Sequence, residues 1–159
     1  MTVMTVWAFP ELDAARKAEQ TLGTLSASGA VIVHDGLLIT WPAKRSAPQP
    51  RRLQSVAITE AAGYAFWGLL LGGVFFAPAL CKLSGVDPAA LGEALAGVGL
   101  PGEFVLGVRR AVGPGSSALM VLSAGEPAAV DRAVAGLRPA QVAAELTPAQ
   151  REALYEVFG

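Results

Sequence analysis

The chain of 159 residues has one cysteine, Cys81, and one histidine, His34. A lone thiol closes no internal disulfide, and no cysteine–histidine spacing suits zinc. The cysteine usage fits a reducing, cytoplasmic side. Charge is also sparse, at 16% Asp, Glu, Lys and Arg against about 25% in average proteins. Twelve basic and thirteen acidic residues leave a net charge of −1. No basic stripe runs along any segment, so nucleic acid is an unsuitable partner. The start, MTVMTVWAFPELDAARK, lacks a basic stretch followed by an apolar one and does not read as a secretory signal.

Apolar residues fill the space that charge leaves. They make up 53% of the chain, and the mean hydropathy is +0.48. That is too apolar for a typical small soluble monomer, so part of the apolar surface is expected to go to lipid or to another chain.

The order of elements follows from local pattern. TVMTVWAF (2–9) is β-branched and aromatic and reads as a strand. In 11–29, Leu12, Ala15, Ala18, Leu22 and Leu25 recur at helical spacing, with an acidic start and a stop near Gly29. AVIVHDGLLITWPA (30–43) is a strand region. Its Asp35–Gly36 is a hairpin signal that would pair 30–34 with 37–41. KRSAPQPRRLQ (44–54) reads as a turn into a short edge strand or linker. Beyond the middle of the chain come a short helix (101–112), a turn and strand (113–124), a helix (125–137) and a strand (140–146). A terminal helix (147–158) follows, with Thr147 as N-cap and Pro148 just inside.

The strand–helix–strand order therefore occurs twice. Two such halves imply an α+β fold, a ferredoxin-like split βαβ sandwich with its helices on one face. The expected organisation is one domain over 1–159, interrupted by an apolar, Gly/Ala-rich helical hairpin at 58–100.

The interruption is the most unusual part of the chain. From Ala61 to Cys81 there are 21 residues without a charge. As a helix they would extend roughly 31 Å, near the thickness of a bilayer's hydrocarbon core. A single crossing would put the two strand-bearing halves on opposite sides, where neither has strands enough for a stable sheet. A hairpin that leaves the domain and returns avoids this. Lys44, Arg45, Arg51 and Arg52 before it and Arg109 and Arg110 after it fit two feet in the cytoplasm. The second limb carries Lys82, Asp87 and Glu93, which are costly in lipid. Pro78 should kink or end the first limb.

Candidate contact residues lie on that first limb. Gly68 and Gly72 form a G-x-x-x-G step, and Ala61 and Ala65 make a second small pair, so helix backbones can approach closely. Trp67, Phe75 and Phe76 are candidate interfacial anchors or fillers of a helix interface. In Gly113-Pro114-Gly115-Ser116-Ser117 a backbone nest for an anion is conceivable. The P-loop lysine is absent, and a tight turn is the plainer account. His34 beside Asp35 lacks an accompanying nucleophile or metal-ligand set, so no catalytic residue, metal or cofactor is expected.

Three stretches resemble a known family: AAGYAFWGLLLGG (61–73), VGLPGEFV (98–105) and VGPGSSALMVL (112–122). They are similar to a bacterial family of membrane proteins of unknown function, domain of unknown function 1269, and the likeness extends over nearly the whole chain. The resemblance implies membrane association and nothing catalytic. In that family the second limb is often a longer Gly/Ala zipper, whereas here it carries three charges.

The expected function is a non-enzymatic, self-associating membrane protein with its α+β domain on the cytoplasmic side of the cytoplasmic membrane. The expected partners are membrane lipid and further copies of itself, with no nucleic acid or small-molecule substrate. A soluble cytoplasmic homo-oligomer whose hairpins bury one another is the alternative, and a small-ligand or anion binder a third.

Overall fold

A computed structural model describes residues 2–46, 48–57, 102–124, 128–150 and 152. The elements are β1 (Thr2–Phe9), α1 (Ala14–Ala27), β2 (Ile32–Thr40), β3 (Gln49–Arg52), α2 (Gly102–Ala111), β4 (Ser117–Ala124), α3 (Ala128–Val134), a 3-10 turn (Ala135–Leu137) and β5 (Ala140–Leu146). The fold is α+β. Five antiparallel-paired strands form one sheet in the order β3-β2-β4-β1-β5. β4 lies between β1 and β2, and β1 lies between β4 and β5. Each half thus contributes strands that only the other half can neighbour. The expected hairpin at 58–100 lies outside the described residues.

Strand parity sorts the core into two layers. Trp7, Phe9, Leu119, Val121 and Leu38 face α1 and α3, and cluster with Ala18, Leu22, Val130 and Val134. Met4, Val6, Met120, Leu122, Leu37 and Ile39 alternate with them and are also buried. On that second face Gly107 of α2 rests on Val142 of β5; a Cβ at Gly107 would stand 3.0 Å from Val142 Cγ1. The helices are therefore not all on one face. α1 and α3 share one, and α2 covers part of the other. β1 is uncharged and buried along its whole length, as a central strand covered on both faces must be.

Helix ends follow their local chemistry. Gly29, at φ +79, sits just beyond the end of α1. The Ala30 N–H donates to Leu25 O at 2.9 Å and the Gly29 N–H to Ser26 O at 3.1 Å. This is a Schellman closure, which a residue without Cβ accommodates at no steric cost. Thr147 and Gln150 cap each other reciprocally: the Thr147 N–H donates to Gln150 Oε1 at 2.9 Å, and the Gln150 N–H to Thr147 Oγ1 at 3.2 Å. The expected N-cap at Thr147 is thus present.

The Asp35–Gly36 hairpin is not. β2 runs straight through both residues and pairs with β4 from Ile32 to Thr40. A bulge between Val33 and Asp35 leaves His34 as the extra residue. The reason lies in the neighbours. A Cβ on Gly36 would lie 2.8 Å from Met120 O and would run into the Leu53 side chain. The glycine is used for close approach of strands, not for a turn.

Gly23 has a similar role in α1. A Cβ there would press into the carbonyl oxygen of Ser55, so the segment after β3 lies directly on the helix. Exposed helical Gly→Ala changes normally stabilise by about 1 kcal/mol. Here Gly23→Ala is expected to destabilise by about 1–3 kcal/mol, because backbone must move. Urea denaturation measures this, and a gain in stability would contradict the packing described.

The sheet has two ends, and they matter below. The upper end carries Phe9, Ser117 and Thr40; the lower end carries Thr2, Ala124, Ile32 and Leu146.

Candidate functional site

The residues on either side of the expected hairpin at 58–100, its two feet, are described. The first foot is held by two ion pairs on opposite faces of β3. Arg51 Nη1 donates to Glu19 Oε2 of α1 at 3.0 Å. Arg52 Nη2 donates to both carboxylate oxygens of Asp35, at 3.2 and 3.1 Å. Both acids are buried, with side-chain exposures of 2% for Glu19 and 0% for Asp35. The Gly36 N–H adds a bond to Asp35 Oδ1 at 2.8 Å. Beyond β3, Leu53 and Val56 join the core beside α1, and Ser55 lies on Gly23.

The direction of each element places both feet. α1 starts at the upper end, where the Ala15 N–H donates to Ser117 Oγ at 3.1 Å. It runs down to Gly29, so Gly23 and Ser55 lie in the lower half. α2 finishes at the upper end: Gly113 and Ser116 bond each other there, and the Gly115 N–H donates to Trp41 O at 2.6 Å. Its middle, at Gly107, meets Val142, which pairs with Val6 at mid-strand. Its first residue, Gly102, is therefore toward the lower end. The chain leaves the described fold at Ala57 and re-enters at Gly102, on opposite faces of the sheet but toward the same end.

The flanking cations are spread over the fold. Arg51 and Arg52 are matched by buried acids. Lys44 and Arg45 sit in the β2–β3 connection at the upper end, where the Trp41 N–H donates to Ser116 O at 2.9 Å. Arg109 and Arg110 are in the last turn of α2, also toward the upper end, where cations favour the helix dipole. The charges of Lys44, Arg45, Arg109 and Arg110 therefore lie toward the upper end, while those of Arg51 and Arg52 lie at the first foot.

The turn at Gly113, Gly115, Ser116 and Ser117 ties the upper end together. Gly115 takes φ +84. The Gly113 N–H donates to Ser116 Oγ at 3.0 Å, and the Ser116 N–H to Gly113 O at 3.1 Å. Ser117 Oγ donates to Glu11 O and accepts from the Ala15 N–H. The N–H groups of Gly113, Gly115 and Ser116 each have an acceptor in the protein itself.

A third feature has no precedent in the sequence pattern. Trp7, Asp131, Ala135, Arg138, Pro139 and Gln141 line an open hollow of about 310 Å³. The Trp7 indole N–H and the Gln141 amide both donate to Asp131 Oδ1, at 2.8 and 2.7 Å. The one legible signal is that a buried tryptophan N–H requires an acceptor. Among the described residues no group of three His, Cys, Asp or Glu is placed to hold a metal. Asp35, beside His34, is engaged with Arg52.

The family model described as "Protein of unknown function (DUF1269)" matches residues 61–159. The chain belongs to the DUF1269 family. No curated protein and no solved structure matched it. The DUF1269 match takes in the apolar run, α2, β4, α3 and β5, and leaves out residues 1–60. Within the matched part, β4 and β5 are not neighbours; β1 separates them. The matched region therefore needs β1 to complete this sheet. Ala61, Ala65, Trp67, Gly68, Gly72, Phe75 and Phe76 fall inside the match and outside the described residues. Among the described residues no helix is long and apolar enough to cross a membrane.

Proposed function

We propose that this DUF1269 chain is a non-enzymatic, self-associating membrane protein. A ferredoxin-like split βαβ domain sits on the cytoplasmic side of the bacterial cytoplasmic membrane. A Gly/Ala-rich hairpin at 58–100 is inserted between its halves. The hairpin anchors in lipid through Trp67, Phe75 and Phe76 and packs against sister hairpins through Ala61, Ala65, Gly68 and Gly72.

One observation carries this proposal. Strands from before and after the insert are interleaved in one sheet, β2-β4-β1-β5. Any path taken by residues 58–101, which contain the 21 uncharged residues, must therefore begin and end on the same side of a bilayer. Together with the lack of charge over 61–81, this favours a returning hairpin over a single crossing. A soluble homo-oligomer is the second reading, favoured by Lys82, Asp87 and Glu93 in the second limb. The anion-binding reading has less support, because the turn's N–H groups already have acceptors.

Fractionation separates the first two. After lysis without detergent and ultracentrifugation, the protein is expected in the membrane pellet, released by detergent and not by high salt. Recovery in the supernatant as a defined large species would overturn the membrane proposal and favour the oligomer.

A further inference from the structure

If the insert enters lipid, the lower end of the domain has a partner as well. We infer that the β2–β4–α1 part of this end lies against the bilayer surface, so that the sheet stands upright on the membrane with the Gly113–Ser117 turn pointing away. This rests on the membrane proposal and deepens it by assigning an orientation and a second contact surface.

Three observations converge on that end. The first is the pair of feet, Ala57 and Gly102, both directed toward it. The second is a stretch of sequence without charge. From Thr21 to His34 the sequence has no Asp, Glu, Lys or Arg. This stretch contains the last part of α1, the Schellman turn and the start of β2. A solvated tip of a cytoplasmic domain ordinarily carries charges, and the upper end of this one does, at Glu11, Asp13, Lys44 and Arg45. The third is exposure. Ile32 is 53% exposed, and the neutral residues Ala27, Ser28, Gly29 and Ala30 before it are exposed as well, whereas Leu12, 42% exposed at the upper end, stands between Glu11 and Asp13. A large β-branched side chain among small neutral residues is poorly suited to water but well suited to the boundary between headgroups and acyl chains.

The boundary of the surface is also visible. Glu145, exposed on β5, pairs in register with Val3, one pair in from Thr2 and Leu146. The β5 edge therefore stays in water, and the contact is limited to the part of the end made by α1, β2 and β4. The occupant is a lipid surface of no particular headgroup charge, because the described residues of the patch include no Lys or Arg for an anionic lipid.

The test uses the full chain with Cys81→Ser and one new cysteine, either Ala30→Cys at the lower end or Lys44→Cys at the upper. Each is labelled with an environment-sensitive nitrobenzoxadiazole dye. The vesicles contain phosphatidylcholine and phosphatidylglycerol. The expected result is a blue shift and protection from aqueous iodide at position 30 on vesicle binding, with position 44 unchanged. A chain that floats with vesicles while position 30 stays in water, or while position 44 shifts instead, overturns the orientation and leaves the membrane proposal standing. A chain that does not float overturns both. A shift at position 30 that needs no vesicles and grows with protein concentration overturns the lipid contact in favour of a sister subunit.

Discussion

Replacing Arg52 by Met is expected to destabilise the domain by about 3–5 kcal/mol, the usual range for removing one partner of a buried ion pair. Asp35 has no exposed side-chain surface, while Arg52 keeps 29% of its own. The two partners are therefore not equivalent. Without Arg52, the carboxylate loses both guanidinium bonds while its side chain stays buried. Without Asp35, the arginine can turn its head outward on a flexible stem. Asp35→Asn is accordingly expected to cost less than Arg52→Met. The double variant should recover part of the Arg52→Met loss, because the buried charge that has lost its arginine is gone. Urea denaturation of the four proteins measures the cycle. A loss below about 1 kcal/mol for Arg52→Met would mean that the pair behaves as a solvated surface contact and does not fix β3.

That clamp could not be read from the sequence. Arg51 and Glu19 are 32 residues apart, and Arg52 and Asp35 are 17 apart. Nothing local links them; only the register of β3 on β2 and the seating of α1 bring them together. The same holds for Trp7 and Asp131, separated by 124 positions. Local chemistry was legible. The buried run 2–9, the helix ended by Gly29 and the Thr147 cap each follow from a few adjacent residues. The failure at Asp35–Gly36 is informative. A dipeptide suited to a tight turn is equally suited to a strand where a neighbouring backbone comes close and a buried acid finds a cation. The flanking cations, Lys44 and five arginines, have positions that only the fold shows. Charge near an apolar run resembles a membrane flank in one dimension, but two of these residues neutralise buried carboxylates and four lie toward the other end of the sheet. What the sequence did make legible is that both halves contribute to one sheet.

The double change Leu70→Asp and Val74→Asp is expected to abolish membrane partitioning while leaving the α+β domain folded. Each carboxylate near the middle of a bilayer-spanning helix costs about 2.5–3.5 kcal/mol. Two together come to about 6 kcal/mol, or roughly four orders of magnitude in partition. Both positions lie well inside the uncharged stretch 61–81 and are four residues apart, so in the proposed helix they would load the same face. The sheet should not notice. Its strands and the two ion pairs at the first foot lie outside the altered segment, and β1 pairs with β4 and β5 whatever covers the insert. The far-ultraviolet circular dichroism of the domain and its cooperative unfolding serve as the check on folding.

Flotation in a density gradient with phosphatidylcholine–phosphatidylglycerol vesicles, run on the native chain and the double variant side by side, tests most directly whether lipid covers the insert. The native chain is expected to rise with the vesicles and the folded double variant to remain at the bottom. A native chain that stays at the bottom as a defined oligomer, or a folded double variant that floats as well, would contradict the account.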